Sequence, residues 1–321
     1  MNGLFQKRTS SMASLIAALD QSVTQIGISG VRYTRRQLYY EFCRTLLPFA
    51  QVVALWSSVA AVGSASVLAA WRRSRPLWSG LTGTGAQIAV PSLVRRLPFT
   101  LTPPVTDALF DEVLTTYRIR YGDPPGLLPD DPAPWRVIGE REPDLYDYGL
   151  AYALVCQDAS IARMLRANFL HMEMACAILA LEDATPLPDT LVAMLIRAAA
   201  PRVLLVHDAS PAGLRWAAHA AELLDVPRGF RVRALGLRPR HALRRHLFAL
   251  RHAADTGELP ASLNLIERLW LRAGYQAELA ALPPVALLRA LRRATRPMPR
   301  RDSWWSGFHR WRTSGYMSWA A

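Results

Sequence analysis

Residues 202–214 read R-V-L-L-V-H-D-A-S-P-A-G-L, and the fold turns on them. An apolar run ends at an acid, Asp208, which enters a Ser-Pro-Ala-Gly turn. Helical spacing then resumes over residues 215–224. A strand that delivers an acid into a glycine turn ahead of a helix is one unit of a parallel sheet covered by helices, and ligands collect at the carboxyl ends of such strands. Asp208 therefore stands either at a chemical site or as the cap of the helix that follows.

A second stretch repeats the pattern. Residues 152–165, Y-A-L-V-C-Q-D-A-S-I-A-R-M-L, run from an apolar strand into a polar turn and a helix. Residues 173–181 read as a further buried strand, 190–199 as a helix and 231–237 as a last strand. Strands alternating with helices predict an α/β fold, a mostly parallel sheet with helices on both faces and right-handed crossovers.

The two strand ends together resemble the Toprim fold of topoisomerase VI A subunits and their relatives. In that family the first strand ends in a metal-binding glutamate, and the second carries Asp-x-Asp followed by a glycine. On this resemblance the glutamate position falls on Gln157, the first aspartate on Asp208, the second on Ser210 and the glycine on Gly213. Two of the three acids are missing. Asp158 is adjacent but would face the other side of the strand if the strand ran on. Residues 34–40, T-R-R-Q-L-Y-Y, resemble the winged-helix segment of the same family and of the meiotic break-forming transesterases. There the second tyrosine attacks DNA, which here is Tyr40.

The residues make their own argument at that segment. Thr34 caps a helix in which Leu38, Tyr39, Phe42, Cys43 and Leu46 share one apolar face, after a first helix over residues 10–25. Arg36, Tyr40 and Arg44 recur every four residues on the opposite face. The spacing predicts Tyr39 inward and Tyr40 outward between two arginines, a setting in which guanidinium groups favour a phenolate and grip phosphate. Tyr40 is then a nucleophile or a contact to the DNA backbone, with Arg36 and Arg44 as DNA-binding residues.

Residues 45–71 carry no charge. As a helix they would reach about 40 Å, enough for a hydrocarbon core of about 30 Å. The run is read as a membrane segment or as a buried Ala/Ser-rich helix. Residues 95–104 form a linker, 105–121 a helix, and 122–135 a domain boundary rich in Pro, Gly and Asp. Glu140, Glu142, Asp144 and Asp147 gather before the first strand, where one of them could replace the lost carboxylate. Residues 239–254 and 262–293 are predicted helices. The closing aromatic and arginine segment suits stacking on bases or a membrane interface. The resulting division is 1–46 winged-helix-like, 47–94 apolar, 95–135 linker and helix, 136–237 Toprim-like and 238–321 basic and helical.

The net charge of +13 comes from residues 228–321, which hold 18 of the 38 basic and 5 of the 25 acidic residues. That excess is an electrostatic footprint for nucleic acid or an anionic membrane face. Cys43, Cys156 and Cys176 lack metal or paired spacing and read as buried thiols of a reducing cytoplasm, and no signal peptide is read in residues 1–25. Attachment to the inner face of the cell membrane is the alternative location. The expected function is that of a DNA-binding protein with reduced or lost cleavage. The alternatives are a metal-dependent nuclease or strand transferase using Asp208 with Asp158 or Glu142, and a membrane-associated scaffold. Mg²⁺, held weakly at Asp208, is the cofactor the resemblance implies; it leaves room for a homodimer and an ATPase partner subunit.

Overall fold

The computed structural model describes residues 11–47, 100–129, 150, 152–198, 200–255 and 257–295. Its centre is a four-stranded, all-parallel sheet of β1 (Tyr152–Cys156), β2 (Cys176–Ala180), β3 (Arg202–Val206) and β4 (Arg231–Ala234), in the order β2-β1-β3-β4. β1 is buried at all five positions and β3 at its last four. Central strands of a parallel sheet are covered on both faces, so their sequences are continuously apolar.

Alternate residues of those strands feed two cores. Leu154, Cys156, Leu204 and Val206 enter the larger core, with α1 (Met12–Gly27), α2 (Arg35–Leu46), α3 (Asp107–Tyr121) and α4 (Ala159–Ala167). Ala153, Val155, Val203 and Leu205 enter the smaller one, with Leu191, Leu195, Trp216 and Ala220. Those four belong to α6 (Asp189–Ile196) and α7 (Pro211–Leu223), which follow the short α5 (Leu170–Met174). A period of two across the pleat explains the division. The helical N-terminal region therefore packs on one face of the sheet.

Three expectations are corrected. Residues 173–181 are not one strand, because α5 runs to Met174 and Ala175 turns the chain at φ 46° before β2. The helix expected over 239–254 stops as α8 (Pro239–Arg245), capped by His246 at φ 50°, and gives way to β5 (Leu250–Arg251). The helix expected over 262–293 is α9 (Leu265–Arg272), then β6 (Tyr275–Gln276), a 3₁₀ turn (Leu279–Ala281) and α10 (Pro284–Thr295). Gly274 breaks it at φ +83°, where an added Cβ would lie 2.3 Å from the His252 carbonyl oxygen. Only glycine tolerates both conditions.

Among the described residues no helix is long and apolar enough to cross a membrane. The uncharged run lies outside the described residues from 48 onward, as do any wing strands within 48–99, Glu140 to Asp147 and the aromatic tail.

Candidate functional site

The site forms where β1 and β3 end. Gln157 donates its backbone N–H to Val206 O at 2.8 Å, and its side-chain Oε1 accepts from the Asp208 N–H at 3.1 Å. The amide thus ties the two strand ends together. Gly213 is required beside it, since a Cβ there would meet Gln157 Oε1 at 2.5 Å and the Asp208 carbonyl at 2.8 Å.

The turn residues divide the capping work in an unexpected way. Ser210, not Asp208, caps α7, its hydroxyl accepting from the Gly213 N–H at 3.0 Å. Asp158 caps α4, accepting from the Ser160 N–H at 2.7 Å. Ala209 pairs through both backbone groups with Ala277, so the chain after β6 crosses the carboxyl end of the sheet. In that crossing segment the Leu279 N–H donates to Asp208 Oδ1 at 2.6 Å.

Asp208 is consequently a half-buried carboxyl with little water around it. Desolvation pushes it up to about 7, and the nearby Glu278 and Asp158 carboxylates push the same way, against the Leu279 N–H and the Arg36 guanidinium. His207, which sequence reasoning missed, is almost fully buried, and burial lowers its affinity for a proton. Its Nδ1–H donates to the Asp208 carbonyl at 2.9 Å, and its ring fills the space over Gly236. The sequence V-H-D placed the histidine next to the acid, and that adjacency was its only signal.

Tyr40 does share a helix face with Arg36 and Arg44, but that face is covered. Tyr40 is 0% exposed, which overturns the solvent access expected of it. The physical reason is the crossing segment, invisible as long as 262–293 reads as a single helix. The Tyr40 hydroxyl donates to Glu278 Oε2 at 3.1 Å, and Arg36 donates to both oxygens of the same carboxylate at 2.6 and 2.9 Å. Arg36 also pairs with Asp107, and Arg44 holds Glu41 and the Ala281 carbonyl. Tyr39 is inward as expected, its hydroxyl on the Val105 carbonyl at 2.8 Å. Desolvation, with the Glu278 charge, raises the Tyr40 phenol far above its ordinary value despite Arg36. A neutral phenol sealed from solvent is a poor nucleophile.

The fold therefore brings Arg36, Tyr40, Gln157, Asp158, Asp208 and Ser210 to one end of the sheet and adds Glu278, which the sequence did not single out. Among the described residues the donor set at Asp208 does not fit Mg²⁺. That ion wants several oxygens, while Asp208 offers one carboxyl already bonded to an amide. Gln157 and Ser210 are neutral and engaged, and among the described residues no three His, Cys, Asp or Glu side chains are grouped to hold a metal.

Comparison with known proteins assigns no family: no family model matches the chain, and no curated protein or solved structure matches it.

Proposed function

We propose that the chain is a DNA-binding protein on a Toprim-like scaffold, with a winged-helix-like N-terminal region, whose cleavage chemistry is reduced or lost. The observation that carries this reading is a contrast of charge between its inner site and its outer face. Inside, the positions that would complete an acidic triad with Asp208 are the neutral Gln157 and Ser210, which already serve as a strand tie and a helix cap. Outside, Arg244, Arg245, Arg289 and Arg293 are exposed on α8 and α10, and Arg245 and Arg293 lie close enough to repel each other. Arginines gathered on one exposed face favour a polyanionic partner. Arginine matches phosphate with its planar fork of donors.

Binding to duplex and single-stranded DNA, followed by fluorescence anisotropy, tests the reading. Affinity should depend little on sequence and fall steeply as salt rises from about 50 mM, as counterion release requires. Absence of binding at the lowest salt ends it. Plasmid DNA with Mg²⁺ should stay intact. Gln157→Glu with Ser210→Asp should raise Mg²⁺ affinity, because glutamate can still accept from the Asp208 N–H and aspartate can still cap α7.

A second reading, a tyrosine-dependent strand transferase, draws on the 3.1 Å bond from the Tyr40 hydroxyl to Glu278, the distance of a nucleophile and its general base, and requires the segment over Tyr40 to open before DNA can reach it. Plasmid nicking that Tyr40→Phe abolishes, with loss of a covalent protein–DNA adduct, would replace the first reading by this one.

A further inference from the structure

The two edges of the parallel sheet are unlike. β2 is buried at four of its five positions, against α4 and α5, whereas no residue of β4 is buried. No described strand pairs with the free side of β4. Arg231 donates its N–H to the Pro201 carbonyl at 3.0 Å and Leu235 donates to the Leu205 carbonyl at 2.7 Å, so the odd-numbered residues turn their main-chain groups toward β3. In a parallel ladder the residues between them face the other way, and the N–H and C=O groups of Val232 and Ala234 point off the sheet. Such a row is a template for another strand.

Arginines flank that row. Arg202 and Arg231 are partners in the β3–β4 register, and Arg233 stands beside Leu204. Register partners share a face and alternate residues return to it, so Arg202, Arg231 and Arg233 lie on one side of the sheet. Val232 packs on the smaller core, on the other side. Arg202 and Arg231 are exposed, Arg233 is half-buried, and none of the three makes an ion pair among the described residues. Like charges side by side on neighbouring strands cost stability. An incoming carboxylate would offset that cost.

We propose that β4 is a docking edge for an extended acidic segment of a partner protein, which joins the sheet as an added strand. Main-chain bonds to Val232 and Ala234 hold it, as in other cases of strand addition. Acids at every second residue then stand on the arginine face about 4.8 Å from β4, beside Arg231 and Arg233, with Arg202 one strand further in. The same arginines keep second copies of this chain away, because arginine would meet arginine, and so select the partner. A DNA backbone offers only acceptors at its phosphates and leaves the outward carbonyls of β4 without donors. A polypeptide strand answers both N–H and C=O, and the open edge favours it.

The probe is a short labelled peptide of alternating glutamate and threonine, titrated into the full chain by fluorescence anisotropy. Saturable binding is expected, and it should be lost when glutamine replaces glutamate. Arg231→Gln combined with Arg233→Gln should weaken binding about tenfold, as two exposed ion pairs go. Ala234→Pro should weaken it as well, since proline removes an outward N–H and is tolerated on an edge strand. An unaltered melting temperature establishes that the variants are folded. Independently of any variant, N-methylation of the peptide at its threonines or at its glutamates should abolish binding in one of the two forms, the one that loses its bonds to β4. No saturable binding by the wild type, or unchanged binding by the folded arginine variant, overturns the proposal. Binding that ignores both Ala234→Pro and N-methylation is charge attraction alone and overturns it too. If the arginine variant loses DNA binding while the wild type takes no peptide, the arginines belong to a DNA surface and the edge proposal falls. Peptide binding lost in a variant that still binds DNA assigns the edge to the partner protein and leaves the earlier reading standing.

Discussion

Among the arginine–glutamate pairs that pin the C-terminal part of the chain, two differ in dryness. Arg238 and Glu267 meet at 2.8 Å with side chains 6% and 1% exposed. Arg36 and Glu278 meet at 2.6 Å with side chains 21% and 27% exposed. The dry pair is woven into backbone: Arg238 donates to the Ser262 carbonyl, and Glu267 completes a capping box with Asn264 at the start of α9. The wetter pair is woven into side chains that have chemistry, Tyr40 and, through Leu279, Asp208. A sealed ion pair has no alternative partner and acts as a structural fastener, whereas a pair with water at its edge can exchange one partner for an incoming anion.

The largest expected effect lies at the dry pair. Glu267→Gln leaves the Arg238 charge buried and should lower unfolding free energy by about 3–5 kcal/mol, measured by urea denaturation. A loss below about 1 kcal/mol would mean that the pair is no more than a surface bridge.

Next comes Asp208, through pH. Its carboxyl titrates near 7 in the folded chain against 3.8 when unfolded, because burial desolvates the charge. The folded value is the higher one, so its contribution to stability is complete below about pH 4 and is lost as pH rises through 7, a span of about 4 kcal/mol. Asp208→Asn can still accept from the Leu279 N–H and carries no titration. Its melting temperature should exceed that of the wild type at pH 8 and converge with it below about pH 4. Parallel pH curves for the two proteins would show that Asp208 is charged throughout.

Smaller still is Tyr40→Phe, which removes one hydrogen bond to a carboxylate that Arg36 continues to hold. A loss of about 0.5–1.5 kcal/mol is expected, visible by calorimetry. Least of all is Asp255→Ala, which breaks the partly exposed pair with Arg215. It should lower the melting temperature slightly, and the difference should vanish at high salt.

How far these features were legible in the sequence follows from range. The strands ending at Gln157 and Asp208 were readable because short apolar runs stop at polar turns, a local signal. The face shared by Arg36, Tyr40 and Arg44 was readable from helical period. What covers that face was not, since Glu278 lies 238 residues from Tyr40 in a run whose apolar spacing imitates one helix. Gly274 and the Pro283-Pro284 pair were the breakers that mark the crossing segment. The burial of Tyr40 and the raised titration of Asp208 both descend from that one segment, so the same omission hid both.

That crossing segment also sets an order of events during synthesis. Tyr40 is made early and Glu278 late, and Asp208 precedes Leu279 by 71 residues. The sheet and α2 can form from what has already emerged, but the phenol and the carboxyl wait, open to water, for the last partner to arrive. A nascent chain halted before residue 277 should therefore hold a folded sheet with a solvent-reachable Tyr40, and release of the remaining residues closes it. Contacts of such sequence separation form slowly.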